Sequence, residues 1–330
     1  MMSPDNGAAP FERSFERPFK PITVSTVVPA LNAEGFIGRA IESALNQSIA
    51  GTEVIVVDDG STDATCGIVE SYRSRGVRLV RHDRSAGAAA ARNTGIAAAR
   101  GEFVAFLDAD DEWLPGKLHR QLTVLRSDAK MSFVSCRATL LDEDGRDTGD
   151  IYRGAAPAQG PHAWRTLLAY PCVATPSVLA RRTALQAAGG FNRWMRVAED
   201  QDMWIRLALL GPVGHVPDSL VRVYSTPGSL SKAQFREQAG YVLPMVFAYV
   251  ERNRHRLTES EIRAILGERY GKLGQLAYAG GEYGFGVTTL LRAMALGHQP
   301  FGHLLYMIKA SSVMRGVKRA AHLMAGARDQ

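Results

Sequence analysis

The sequence predicts an α/β protein built on a doubly wound, mainly parallel sheet, followed by a helical C-terminal extension. Three observations predict it. Short apolar runs rich in Val, Ile and Phe alternate with helical patterns between residues 22 and 107. The intervals between runs are of a length that crossover helices fill, and parallel strands need such crossovers. Finally, the first, second and fourth runs stop at polar or acidic turns: Pro29 to Asn32, Asp58-Asp59, and Asp108-Ala109-Asp110-Asp111. Right-handed crossovers put all strand C-termini on one edge, where open α/β sheets bind ligands.

In chain order, the β-branched run Ile22 to Val28 reads as the first strand, stopped by Pro29. Phe36, Ile37, Ala40, Ile41, Ala44 and Leu45 share one helical face. Val54 to Val57 is a second strand. Thr62 or Asp63 can cap the next helix, which ends near Gly76. Val77 to Val80 follows as a third strand, Ala86 to Arg100 as an alanine-rich helix closed by Gly101, and Phe103 to Leu107 as the fourth strand. Beyond it the pattern is less regular. Met131 to Leu141 reads as a strand, 142–145 as a turn, Pro176 to Ala180 as a strand, 189–192 as a loop and Glu199 to Leu210 as a helix, with Trp204, Leu207 and Leu210 on or near its packed face. After about residue 235 the chain turns helical. The expected organisation is a disordered tail over 1–20, an α/β domain over 21–235 and a helical region over 236–330.

Cys66, Cys136 and Cys172 are odd in number, far apart and in no metal-ligand spacing, which points to reduced thiols in a cytosolic protein. The first twenty residues are polar and read as a tail, not a signal peptide. The longest apolar run, Tyr241 to Val250, is far short of the roughly 20 residues a membrane span needs. Charge is segregated: residues 1–235 hold 26 Lys/Arg and 26 Asp/Glu, whereas 236–330 hold 13 and 7, which supplies the net +6. A basic C-terminal segment suits an anionic partner. Nucleic acid is disfavoured, because the segment lacks interleaved aromatics along a groove.

No Gly-x-Gly-x-x-Gly follows the first strand and no Walker-type loop exists, so phosphates need a metal, arginines or both. Asp108 and Asp110 offer oxygen ligands to a hard divalent cation; read blandly, they are solvated turn residues. Asp59 ends the second strand, where it can accept from a base N–H or simply cap the turn. Glu199-Asp200 opens a helix, where acidic residues suit the dipole. Trp204 lies four residues past Asp200 on the same face, so the apolar stripe aims Asp200 inward, as a general base requires.

Val-Val-Pro-Ala-Leu-Asn (27–32), Val-Val-Asp-Asp-Gly-Ser-Thr-Asp (56–63), Ala-Arg-Asn-Thr-Gly (91–95), Gly-Glu-Phe-Val-Ala-Phe-Leu-Asp-Ala-Asp-Asp (101–111) and Ala-Glu-Asp-Gln-Asp-Met-Trp (198–204) resemble the family 2 glycosyltransferases in order and spacing. Pro-Ser-Val-Leu-Ala-Arg-Arg (176–182), Gly-Gly-Phe-Asn (189–192) and Gly-Ser-Leu-Ser (228–231) extend the likeness over roughly residues 22 to 232. The resemblance implies a GT-A fold with nucleotide-binding and acceptor-binding halves. It implies a nucleoside pocket lined by Pro29, Ala30 and Asn32, a base contact from Asp59, and Arg92 near the sugar-phosphate region. It further implies Asp108 on the ribose or diphosphate, Mg²⁺ or Mn²⁺ on Asp110, and Asp200 as catalytic base of an inverting transfer, with Glu199 and Trp204 on the acceptor side. The implied partners are a nucleotide-sugar donor, with UDP favoured, and a polysaccharide or lipid-linked glycan acceptor. Two positions depart from the family pattern. Leu31 stands where many relatives have an aromatic residue, and Thr226 stands where many have His before the Pro-Gly-Ser-Leu-Ser stretch.

Met307, Ala310, Met314, Val317, Ala321 and Met324 recur at helical spacing beside Lys309, Arg315, Lys318 and Arg319. Such a helix can pack on the domain or rest on an anionic bilayer, giving peripheral contact with the cytoplasmic face of the inner membrane. Two alternatives to a transferase are a nucleotidyltransferase that makes the donor and a non-catalytic sugar-nucleotide-binding protein. The first wants a basic glycine-rich loop after the first strand, where this chain has Ala30-Leu31-Asn32-Ala33-Glu34; the second needs neither Asp110 nor Asp200.

Overall fold

The computed structural model describes residues 23–150, 156–225, 235–300 and 302–304. The tail over 1–20, Thr226 with the Gly-Ser-Leu-Ser stretch, and nearly all of the Met307–Met324 stripe lie outside the described residues.

Four strands open the chain in the expected order: β1 (Val24–Ala30), β2 (Thr52–Asp58), β3 (Val77–Arg81) and β4 (Phe103–Phe106). They pair in parallel as β3-β2-β1-β4. Helices α1 (Ile37–Leu45), α2 (Thr65–Ser71) and α3 (Ala88–Ala98) make the crossovers. The strand β1 does not stop at Pro29, which pairs in register with Val57. The carbonyls of Thr23 and Val27 accept from β4, so alternate residues, Pro29 among them, face that side. The β1–β4 ladder ends at Val27, and the N–H that Pro29 lacks therefore costs no sheet bond.

Past β4 the sheet changes direction. Among the described residues it holds nine strands, including β5 (Glu112–Trp113), β6 (Phe133–Leu141), β7 (Asp147–Asp150), β8 (Leu179–Arg181) and β9 (Val213–Tyr224). β8 runs antiparallel to β4 and β6, and β9 runs parallel to β6 and antiparallel to β5. The 176–178 part of the expected strand is instead a single 3-10 turn, Thr175–Ser177, running into β8.

The sheet has an apolar core on each face. Val28, Val54, Val56 and Phe103 pack against α1, α2 and α4 (Lys117–Ser127) on one. On the other, Val27, Ile55, Val57 and Phe106 meet α3, α5 (Ala163–Ala169), α7 (Glu199–Leu210) and α8 (Phe235–Arg252); the short α6 spans Arg182–Ala187. Helix α3 lies very close to β1, since a Cβ on Gly95 would sit 2.2 Å from Val27 Cγ1. Val242, Val246, Tyr249, Ile262 and Ile265, from α8 and α9 (Glu259–Ala279), share that core, and α10 (Tyr283–Ala295) packs on α9. Leu210, expected in the core, is 54% exposed because α7 ends there at Gly211.

Candidate active site

Three of the expected segments converge at the C-terminal edge of the parallel strands. The turn after β1 is laced to the loop after β2. Asn32, with φ 49°, accepts at Oδ1 from the Thr62 amide (2.9 Å), and its own amide donates to Ser61 Oγ (2.8 Å). The Ala33 amide donates to Thr65 Oγ1 at 2.8 Å. Ala30 is buried, Pro29 half-buried, and Leu31 stands 49% exposed above the pocket.

Asp59 does not have the part expected of it. Its Oδ1 accepts from His82 Nδ1 (2.6 Å) and the Ala86 amide (3.0 Å), and its Oδ2 from Ser85 Oγ (2.7 Å) and the Gly87 amide (2.8 Å). A carboxylate offers about four lone-pair directions, so this one is saturated and has none left for a nucleobase N–H. Burial alone would raise its pKa, but these donors outweigh it and hold the carboxyl below its ordinary range. Asp59 therefore fixes the 85–87 turn beside the pocket. His82 completes the brace through Thr94 Oγ1 on α3, 2.9 Å away.

Arg92 joins the two halves of the site. From α3, at 6% exposure, it places Nη2 2.8 Å from Asp108 Oδ1 and Nη1 2.8 Å from Glu199 Oε1. Burial disfavours its charge, but Asp108, Glu199 and Asp200 outweigh that and keep it firmly protonated. The close approach at Gly95 is what brings this turn of α3 to the edge. Next to Arg92, Asn93 clamps the 189–192 loop: its Nδ2 donates to the Phe191 carbonyl (2.8 Å) and its Oδ1 accepts from the Phe191 amide (2.7 Å).

The acidic turn after β4 is pinned from β5, β9 and α1. The Tyr224 amide donates to Asp111 Oδ1 at 3.1 Å, and Arg39 donates to the Asp110 carbonyl while stacking 3.8 Å from the Tyr224 ring centroid. Burial, then the nearby charges of Asp108 and Asp110, push the Asp111 carboxyl well above its usual range. A turn with this excess of negative charge suits a hard divalent cation. Among the described residues no group of three or more His, Cys, Asp or Glu side chains forms a metal cage. An ion at this turn would need phosphate and water oxygens to complete its shell, which is how Mg²⁺ ordinarily binds.

Asp200 begins α7 behind Ala198, whose left-handed φ of 61° turns the chain into the helix. Its Oδ1 accepts from the Gln201 amide (2.7 Å) and its Oδ2 from Thr175 Oγ1 (3.3 Å). The residue is half-buried. Burial, then the charge of Glu199, raise its pKa to about 6 against the pull of Arg92. A carboxylate so tuned is a competent proton acceptor near neutrality.

Two assignments are corrected. Glu199 faces Arg92, not the acceptor side, because an adjacent helical residue points about 100° away from Asp200. Trp204 is 1% exposed and packs against Phe106, Phe133 and Phe191, so it belongs to the core beneath the site. Thr175, Asn93, His82 and Arg39 were not singled out from the sequence. Each works through a tertiary hydrogen bond, and the only sequence signal was that Asn93 lies inside a quoted motif and Thr175 beside one.

Comparison with known proteins agrees with this edge. Residues 25–176 match the Glycosyl transferase family 2 model. That stretch, a little under half of the chain, is similar to the family 2 glycosyltransferases. Over 106 residues the chain is 48% identical to the succinoglycan biosynthesis protein ExoO of Rhizobium meliloti, a match covering 32% of this chain and 30% of ExoO. It is 28% identical over 217 residues to WfaP of Escherichia coli, named as a UDP-Glc:α-D-GlcNAc-diphosphoundecaprenol β-1,3-glucosyltransferase, covering 65% of this chain and 82% of WfaP. The chain thus spans less than a third of ExoO. The structure of S. aureus TarS 1-349 in complex with UDP-GlcNAc superimposes with a TM-score of 0.55 at 19% identity, over 84% of this chain and 92% of that one. The fold is GT-A.

Proposed function

We propose that this protein transfers a sugar from a nucleoside diphosphate donor, with UDP favoured, to a hydroxyl of a polysaccharide or lipid-linked glycan, with inversion at the anomeric carbon. The observation that carries the reading is Arg92, whose guanidinium ties the Asp108 turn to the helix that starts at Glu199-Asp200. It argues for a donor-diphosphate side and a base side on one crevice.

The acceptor oxygen attacks the anomeric carbon as the bond from that carbon to the diphosphate breaks. The bonding pair leaves with the diphosphate, and the hydroxyl proton passes to Asp200. Double displacement would need a second carboxylate within about 5–5.5 Å to act as nucleophile. Glu199 is committed to Arg92 at 2.8 Å, which argues against it. A Mg²⁺ or Mn²⁺ ion held by Asp110 would supply Lewis-acid stabilisation of the departing diphosphate. On the acceptor side the exposed aromatic is Trp194, 89% accessible on the loop between Phe191 and Glu199, flanked by Arg193 and Arg196. An aromatic face of this kind suits a pyranose ring, and the arginines suit an anionic acceptor.

The test is a nucleotide-release screen over UDP-glucose, UDP-GlcNAc and GDP-mannose with Mn²⁺, Mg²⁺ or EDTA. Release of UDP with a divalent ion and none in EDTA is expected. Turnover retained by Asp200→Asn would exclude Asp200 as the base. A site on the cytoplasmic face of the membrane, reached through the basic C-terminal residues, belongs to the same proposal. No helix among the described residues is long and apolar enough to cross a bilayer. Flotation with anionic liposomes at low and high salt, with and without residues 300–330, tests peripheral contact; absence of binding in both salts rejects it.

A further inference from the structure

The helices α8 and α9 lie beyond the family match, yet both reach the helix that carries Asp200. From α8 the Tyr249 hydroxyl donates to Asp202 Oδ1 at 2.7 Å, while Arg206 holds Oδ2 at 2.6 Å. From α9 comes Arg269, 2% exposed. Its Nε and Nη2 donate to the carbonyls of Leu168 (2.5 Å) and Leu167 (2.6 Å) in α5, and its Nη1 donates to Gln201 Oε1 (2.8 Å). One guanidinium thus joins the last turn of α5 to the first turn of α7, beside Asp200.

All three acceptors are neutral oxygens. The charge of Arg269 is therefore not consumed by a hydrogen-bonded carboxylate, and the charged or titratable groups that it feels are Cys172, Glu268 and Asp200. Burial lowers its pKa to about 10, which leaves it protonated at neutral pH. The groups facing Asp200 are Glu199 on its own helix, Arg92 from α3, Asp108 from the turn after β4, and Arg269 from α9. Two of the four are anions, and Arg92 is shared with both of them. Asp202, the other carboxylate on this turn, is already matched by Arg206 and Tyr249. That leaves Arg269 as the cation with no competing bonded carboxylate.

We propose that Arg269 is a positioning residue for the transfer reaction: from α9 it fixes the first turn of α7 and holds a permanent positive charge behind Asp200. The proposal rests on the reading of Asp200 as the base. A guanidinium suits the task because its planar fork reaches three oxygens at once and stays charged when buried.

Two full-length variants separate charge from tether. Arg269→Gln removes the charge and keeps an amide donor. Because its shorter side chain also loses the Nη1 bond to Gln201, kcat should fall at every pH, and in addition its acid limb in kcat against pH should move up, while the donor KM is unchanged. Gln201→Met keeps the charge and cuts the tie to α7. It should lower kcat on the order of tenfold at every pH and leave the limb in place. Release is followed with whichever of UDP-glucose or UDP-GlcNAc the screen identifies. A folded Arg269→Gln with the unaltered acid limb overturns the proposal, and so does Gln201→Met with unaltered kcat. If Arg269→Gln does not fold, Gln201→Met decides alone: a loss of kcat at constant donor KM supports the tether, and native kcat ends it. An active Asp200→Asn removes the underlying reading. An inactive Asp200→Asn beside two unperturbed variants removes only the role of Arg269.

Discussion

Replacing Asp200 by Asn should inactivate the enzyme and stabilise the fold. The carboxyl pKa stands at about 6 in the folded chain, against 3.8 as its ordinary value. A raised carboxylate pKa means that folding favours the protonated form. Ionisation therefore costs stability, and the cost grows as pH rises from the unfolded value to the folded one and is complete above it. At 1.36 kcal/mol for each pH unit, the full cost is about 3 kcal/mol, an upper bound because the residue is only half-buried. Asparagine carries no such charge. Its Oδ1 can still accept from the Gln201 amide, so the local geometry survives. Urea unfolding of both proteins should show Asp200→Asn more stable by about 1–3 kcal/mol at pH 8, with the difference shrinking toward zero near pH 4. Nucleotide release should be lost throughout. A variant less stable than wild type at pH 8, or equally stabilised at both pH values, would refute the burial argument. In the wild type the same titration puts the acid limb of turnover near pH 6, with activity present above it.

Other perturbations follow from the geometry. Gly95→Ala places a Cβ 2.2 Å from Val27 Cγ1 and should cost about 1–3 kcal/mol in urea unfolding, with lowered turnover as Arg92 shifts. Arg92→Met leaves Glu199 buried and Asp108 half-buried without their cation; a loss of about 3 kcal/mol is expected, and a loss below about 1 would show the pairs to be incidental. Asp59→Asn replaces one carboxylate oxygen by an amide N–H₂ facing two of the four donors of the 82–87 loop, so UDP affinity measured by calorimetry should fall about tenfold while the acid limb of turnover stays in place.

The parallel half of the sheet was legible because its apolar runs are short, uninterrupted and punctuated by turns. β1 to β4 and α1 to α3 all appear, with ends displaced by a few residues. β9 was hidden by Pro217-Asp218-Ser219, which reads as a turn. In the fold Pro217 and Asp218 bulge out of the ladder, for Cys136 pairs with Val216 and Arg137 with Ser219. β5 is two residues long and exists only through its partner β9. At the site, the meeting of the Asp108 turn and the Glu199-Asp200 helix start was legible, since both stand at the ends of recognisable elements and Arg92 bonds to Asp108 and Glu199. The occupation of Asp59 and the burial of Trp204 could not be, because both depend on residues brought from elsewhere in the chain. Arg269 lies further from any motif, 69 residues beyond Asp200, and no local pattern distinguishes it from a surface arginine.

The saturation of Asp59 bears on how fast a nucleotide can be captured. The wall formed by residues 82–87 is braced at both ends, by Asp59 below and by His82 with Thr94 beside it, through contacts internal to the protein. On the proposed reading, an incoming nucleoside meets a rigid rim and forfeits little configurational entropy in shaping it. Encounter then depends on orientation rather than on waiting for a loop to fold, and variation in nucleotide affinity among rim variants should surface in dissociation rates.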